Sequence, residues 1–186
     1  ARRITAKDTE SLDLSAWRVA GVGAEMIHPE WLEAFAEALK PAGFRPSAFL
    51  PSYGMAECAL AVSFATVGGG VQIDSVDGDL LSDTAEARPY VEGSPTRRKD
   101  FVNCGPPLPG FTVEVRGEDG RVLPDRRVGR IHLHSPSVMN GYYNAPEYTA
   151  EVLTADRWLN TGDLGYYVDG VLFLTGRAKD LLIVNG

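Results

Sequence analysis

Cysteine is scarce: Cys58 and Cys104 are the only two among 186 residues, too few for the disulfide framework of a small secreted domain and with no metal-ligand spacing around them. They fit reduced thiols in a cytoplasmic protein. Long apolar runs are missing too. The longest, around residues 58–67, falls far short of the roughly 20 residues that a membrane-spanning helix needs, and no signal-peptide pattern follows Ala1. Positive charge is in deficit. With 18 Lys and Arg against 25 Asp and Glu, the net charge is −7, so nucleic acid would meet a repulsive field. Arg97-Arg98-Lys99, the one basic run, reads as a solvated loop. What remains is an ordinary globular composition, 44% hydrophobic and 23% charged, which excludes a disordered chain.

Two superficially attractive features carry little. His132 and His134 share one face of an expected strand but have no third ligand nearby, so they read as strand surface rather than a metal pair. Gly68-Gly69-Gly70 has no lysine after it, as a phosphate loop would, and reads as a flexible turn.

The chain changes character near its middle. Residues 17–23 read as a short strand entering a glycine-rich turn. Pro29 to Lys40 reads as an amphipathic helix, with Leu32, Phe35, Ala36 and Leu39 on one face and Glu30, Glu33 and Glu37 on the solvated one. A second strand is expected over Ser47 to Leu50, a loop over Pro51 to Gly54 and a second helix over Met55 to Phe64. That is an α/β pattern, part of a mainly parallel sheet with flanking helices, and ligands of such sheets bind just beyond strand ends. Residues 68–102 form an irregular excursion with room for one hairpin. From Asn103 the pattern turns β-rich: strands are expected over residues 112–116, 129–134, 165–168 and 171–175, with turns at Glu118-Asp119-Gly120 and Asp169-Gly170, giving a small distorted barrel or twisted sheet. The expected divisions are 1–67, 68–102, 103–175 and a terminal segment, 176–186.

Three short stretches concentrate chemistry: Ser52-Tyr53-Gly54-Met55-Ala56-Glu57, Thr161-Gly162-Asp163 and Gly176-Arg177-Ala178-Lys179-Asp180. Each sets a glycine, which lets backbone approach a ligand, beside a carboxylate or a cation. Taken singly, each has an ordinary explanation. Tyr53 and Asp163 suit plain turns, Glu57 suits the first turn of a helix, and Arg177 suits a surface. In this order, with Gly21-Val22-Gly23-Ala24-Glu25 upstream, they resemble the adenylate-forming enzymes, the family of acyl-CoA synthetases, luciferases and peptide-synthetase adenylation domains. Ala56, where most of that family has threonine, and the Gly-Ala-Glu run resemble its fatty acyl-AMP ligase branch.

The resemblance implies a site and a reaction. Tyr53 would stack on adenine, and Gly23, Ala24, Ser52 and Gly54 would leave room for the nucleotide. Asp163 would accept hydrogen bonds from the ribose diol, Arg177 would add a donor fork to ribose or phosphate, and Glu57 would hold Mg²⁺ against the triphosphate of ATP. Met55, Ala56 and Cys58 would head a tunnel for the acyl chain, although a core role explains them equally well. Lys179 would mark the hinge. A fatty acid and ATP would give acyl-adenylate and pyrophosphate, and the adenylate would pass to an acyl carrier protein or a polyketide or peptide synthase. The long stretch between Glu57 and Asn103 resembles an insertion that, in this branch, is associated with blocking admission of CoA. The family's phosphate loop is expected before residue 1 and its mobile C-terminal domain after residue 186, so this piece alone is expected not to make acyl-AMP. An acyl-CoA synthetase and a non-catalytic scaffold of the same fold are the alternatives.

Overall fold

The structure, a computed structural model, describes residues 6–180, and side chains from residue 8 onward. After a single helical turn, α1 (Ala6–Thr9), comes a short strand, β1 (Ala20–Val22), and then helix α2 (Pro29–Leu39). Pro29 opens α2 in a position where its missing N–H costs nothing. Ala36 and Leu39 bury its apolar face against Phe44, Ala48 and Phe49, with Leu32 and Phe35 packed alongside, as the spacing predicts.

Strand β2 (Phe49–Met55) runs parallel to β1, with Ala20 opposite Phe49 and Val22 opposite Pro51. Here two expectations are corrected. Residues 51–54 are part of β2 rather than a loop. The helix expected over Met55 to Phe64 is instead a 3-10 turn (Ala56–Cys58) followed by a strand, β3 (Leu60–Phe64), antiparallel to β2. Ala59 and Leu60 have φ of 57° and 106°, which turns the chain back and ends any helix. Val62 and Ser63 are fully buried on β3, so pairing and burial override the helix-compatible composition of the segment.

The excursion is ordered. Strands β4 (Ile73–Asp77) and β5 (Arg98–Val102) pair antiparallel. Between them lies helix α3 (Gly78–Thr84), capped by Asp77, whose carboxylate accepts from the N–H groups of Asp79 and Leu80 at 3.1 and 3.0 Å.

The remainder is an antiparallel meander in the order β6 (Thr112–Arg116), β7 (Gly129–His134), β8 (Leu159–Val168) and β9 (Val171–Arg177), with helix α4 (Pro146–Val152) between β7 and β8. It stays an open sheet and does not close into a barrel. The predicted β6 and β7 match the observed strands residue for residue, whereas β8 starts six residues earlier than expected. His132 is half-buried and His134 exposed on β7, and no cluster of three or more His, Cys, Asp or Glu occurs among the described residues. No helix among them is long and apolar enough to cross a membrane.

Among the described residues three clusters hold these parts together. The largest joins Tyr53, Cys58 and Val62 to Ile131, Leu133, Leu159 and Leu172, fastening β2 and β3 to the meander. Each fully buried aliphatic side chain there contributes about 1.5–3 kcal/mol. The excursion docks on the meander through Val76, Ala87, Phe101, Tyr166 and Phe173. Beside that contact the Asp74 carboxylate accepts from Tyr166 Oη at 2.7 Å and Arg126 Nη1 at 3.1 Å.

Candidate functional site

Strand β1 ends at Val22 beside Pro51, in the middle of β2, and the site starts there. Ser52 Oγ donates to the carbonyl of Val22 at 3.1 Å. A β-carbon on Gly23 would sit 2.8 Å from the Ser52 carbonyl oxygen, so only glycine lets the chain leaving β1 pass β2 this closely. Ala24 follows with φ of 70°, a conformation costly for a residue with a side chain and frequent where backbone is shaped for a ligand. One strand further, a bulge falls between Tyr53 and Gly54. A β-carbon on Gly54 would collide with the carbonyl of Leu60.

Asp163 and Arg177 face each other across β8 and β9, and Tyr53 reaches them from the other sheet. Tyr53 Oη donates to Asp163 Oδ2 at 2.7 Å, and Arg177 Nε donates to Asp163 Oδ1 at 3.1 Å. Tyr53 and Asp163 are 8% and 7% exposed. Burial, then the neighbouring Asp163 charge, raises the Tyr53 phenol well above its usual range, so it stays protonated and donates. The Asp163 N–H donates to Thr161 Oγ1 at 3.0 Å, and that hydroxyl donates to the Ile131 carbonyl at 3.0 Å. Among the described residues each Asp163 oxygen takes one side-chain donor and has a lone pair left, enough for a diol.

This network walls a cleft of about 420 Å³ lined by Ala24, Glu25, Ser52, Tyr53, Gly54, Asp163, Arg177 and Asp180, with Met26, Ile27 and Leu174 supplying apolar surface. Its size suits a small-molecule ligand. A second cleft of about 450 Å³ holds Met55, Glu57, Tyr142, Arg130, Lys179 and Asp180, and Arg177 lines both. Gly23, Ala56 and Cys58 line neither. Gly23 supports the first cleft from behind. Ala56 is exposed, and Cys58 is 1% exposed within the largest core cluster, where burial, then the nearby Glu57 charge, pushes its thiol up to about 11. Lys179 is exposed, and the part of the hinge expectation covering 181–186 lies outside the described residues.

Glu57 sits in the 3-10 turn between β2 and β3. Its carbonyl accepts from the Met139 N–H at 2.7 Å, and its Oε1 accepts from Tyr142 Oη at 2.8 Å. A divalent cation of the magnesium type takes one or two carboxylates plus substrate phosphate oxygens rather than an all-protein cage, and Glu57, with Glu151 and Asp180 as the other carboxylates of a cleft that also holds Arg130, Arg177 and Lys179, fits that need. Sequence reasoning missed Tyr142, Arg130 and the apolar patch Met26-Ile27. The signal for Tyr142 was present in Gly141-Tyr142, an aromatic beside a glycine as at Tyr53-Gly54.

The family profile of AMP-binding enzymes matches residues 1–143. A Caulobacter vibrioides protein described provisionally as an acyl-CoA synthetase is 52% identical over all of this chain, which covers 32% of that protein. The Moorena producens medium-chain fatty acid–acyl carrier protein ligase JamA is 36% identical over all of this chain, which covers 33% of it. The crystal structure of a Legionella pneumophila fatty acyl-adenylate ligase in complex with acyl adenylate and pyrophosphate superposes with a TM-score of 0.88 at 33% identity, covering 100% of this chain and 33% of that one. The chain thus spans about a third of the length of the curated relatives it matches.

Proposed function

This chain belongs to the AMP-binding enzymes, and from that premise we propose that the full-length protein is a fatty acyl-AMP ligase. A carboxylate oxygen of the fatty acid attacks the α-phosphorus of ATP. The new P–O bond forms as the α–β bridging bond breaks, so pyrophosphate leaves and acyl-adenylate remains. The adenylate then passes to an acyl carrier protein or synthase partner. Mg²⁺ supplies neutralisation of the developing phosphate charge.

The observation that carries this reading is the buried Tyr53–Asp163 pair, joined by the exposed Arg177, at the wall of one cleft, with Glu57 across Arg177 in the next. Tyr53 presents a ring to the purine with its hydroxyl already tied to Asp163. Asp163 takes the ribose diol on its remaining lone pairs. Arg177, shared by both clefts, reaches ribose or phosphate, and Glu57 holds the metal. Met55 opens toward the acyl chain, with Ala56 and Cys58 behind it, and Lys179 lies at the hinge. The two free thiols suit a cytoplasmic protein.

The ligase branch is favoured over CoA-dependent chemistry by the ordered excursion, β4–α3–β5, clamped to the meander through Asp74, Arg126 and Tyr166. Held in this way, it is suited to resist the rearrangement that would admit CoA. The description of the Caulobacter vibrioides relative favours the second reading, an acyl-CoA synthetase. Product analysis of the full-length protein with ATP, Mg²⁺ and a panel of fatty acids, with and without CoA, decides between them. Acyl-AMP that persists with CoA present is the expected result, and conversion to acyl-CoA establishes the synthetase. Absence of any adenylate overturns both. Deleting the excursion should yield CoA thioester.

A further inference from the structure

We propose that Tyr142 is a positioning residue for the Glu57 carboxylate, presetting which of its oxygens a divalent cation takes; this deepens the reading above and rests on it. The Tyr142 hydroxyl donates to Glu57 Oε1 at 2.8 Å, while Oε2 takes no hydrogen bond among the described residues. Tyr142 is itself held independently of Glu57. Its N–H donates to Thr149 Oγ1 at 2.9 Å on α4, and a β-carbon on the preceding Gly141 would sit 2.8 Å from the Thr149 methyl. The same connection from β7 to α4 is tied down twice more. Met139 N–H donates to the Glu57 carbonyl at 2.7 Å, and Arg157 Nη2 donates to the carbonyls of Val138 and Met139 at 2.8 and 3.2 Å. The loop therefore grips both the backbone and the side chain of the residue on which the metal role falls.

A glutamate on a short turn has several free torsions, and ordering it costs rotamer entropy at the moment of binding. A fixed phenol that engages one oxygen removes that freedom beforehand and leaves the other as a single, oriented donor, the arrangement by which outer partners tune metal ligands. Exposure of the aromatic pair makes the same point. Tyr143 is 92% exposed, whereas Tyr142 is 39% exposed and lines the cleft.

The test uses the full-length protein with a non-hydrolysable α,β-methylene analogue of ATP and Mn²⁺, whose free concentration is read by electron paramagnetic resonance. Tyr142→Phe keeps the ring and removes only the donor. It should weaken Mn²⁺ binding to the protein–analogue complex by about tenfold, with metal-free analogue binding and melting temperature unchanged. Glu57→Gln should weaken it further. Wild-type Mn²⁺ affinity in Tyr142→Phe with loss in Glu57→Gln overturns the positioning role and leaves the metal role of Glu57 intact. Wild-type affinity in both variants overturns the two together.

Discussion

On one side of Arg177, Tyr53 and Asp163 meet at 2.7 Å with less than a tenth of either residue exposed. On the other, Tyr142 and Glu57 meet at 2.8 Å in the open, with Tyr142 39% exposed. The bonds have nearly the same length and different consequences. A desolvated hydrogen bond is electrostatically stronger and expensive to leave half-made, so the first cleft is fixed before any ligand arrives. A solvated one competes with water and costs less to lose, so in the second cleft, where Glu57, Arg130, Lys179 and Asp180 lie near the surface, the Tyr142 bond can orient Glu57 while adding little to stability. On the proposed reading, the buried bond serves the nucleoside end of the nucleotide and the exposed one its phosphate end.

The strongest way to break that contrast is at Asp163. If Asp163 takes the ribose as proposed, Asp163→Ala in the full-length protein strips the ribose of its acceptor and leaves the buried Tyr53 hydroxyl without its carboxylate. Hydrogen bonds to a charged group contribute about 1.5–3 kcal/mol each, so ATP affinity measured by calorimetry should fall about 100-fold or more. A fall of less than about fivefold would separate Asp163 from the ligand. Next comes Glu57→Gln in the open cleft. It should slow acyl-adenylate formation about 100-fold, the usual cost of losing one electrostatic contact to transferring phosphate, while metal-free nucleotide binding stays unchanged. Equal losses with and without metal would erase the difference between the clefts.

Tyr53→Phe tests the buried bond alone. The ring stays and the buried donor goes, so stability to denaturant should drop by about 1–2 kcal/mol, with a smaller loss of ATP affinity. Tyr142→Phe should leave stability alone, because water replaces its hydroxyl. The smallest effect concerns the two buried thiols, Cys104 in the wall of the first cleft and Cys58 in the core. Burial pushes Cys58 up to about 11 and Cys104 up to about 12, so neither should react with a disulfide reagent near pH 8 without unfolding. Below pH 9 both thiols are protonated folded and unfolded, and their contribution is fully present. Above pH 9 only the unfolded state ionises, so stability to denaturant should decline as pH rises toward 11.

The sequence was most legible where local pattern and tertiary packing agree. Leu32, Phe35, Ala36 and Leu39 announce α2 because helical spacing puts them on one face, and alternation announces β6 and β7. It misled over Met55 to Phe64, where alanine, glutamate and leucine satisfy helix propensity but the open side of β2 needs a strand. The local preference amounts to tenths of a kcal/mol per residue, and burying Val62 beside a paired backbone outweighs it. In the site, Tyr53, Glu57, Asp163 and Arg177 were legible as a set because their spaced motifs carry the family's pattern. Their partners were not. The Tyr53–Asp163 bond spans 110 residues of sequence, and Tyr142 reaches Glu57 across 85.

By itself, then, the sequence determined the kinds of chemistry available: a carboxylate on each side of a shared arginine, glycines where backbones must touch, and apolar faces that commit α2 and the meander to a core. Those choices follow from residue type and short-range spacing. Only the tertiary structure decided that one carboxylate is buried against a phenol and the other held in the open by a different one. Desolvation depends on what packs around a group, and the residues that pack there come from distant parts of the chain.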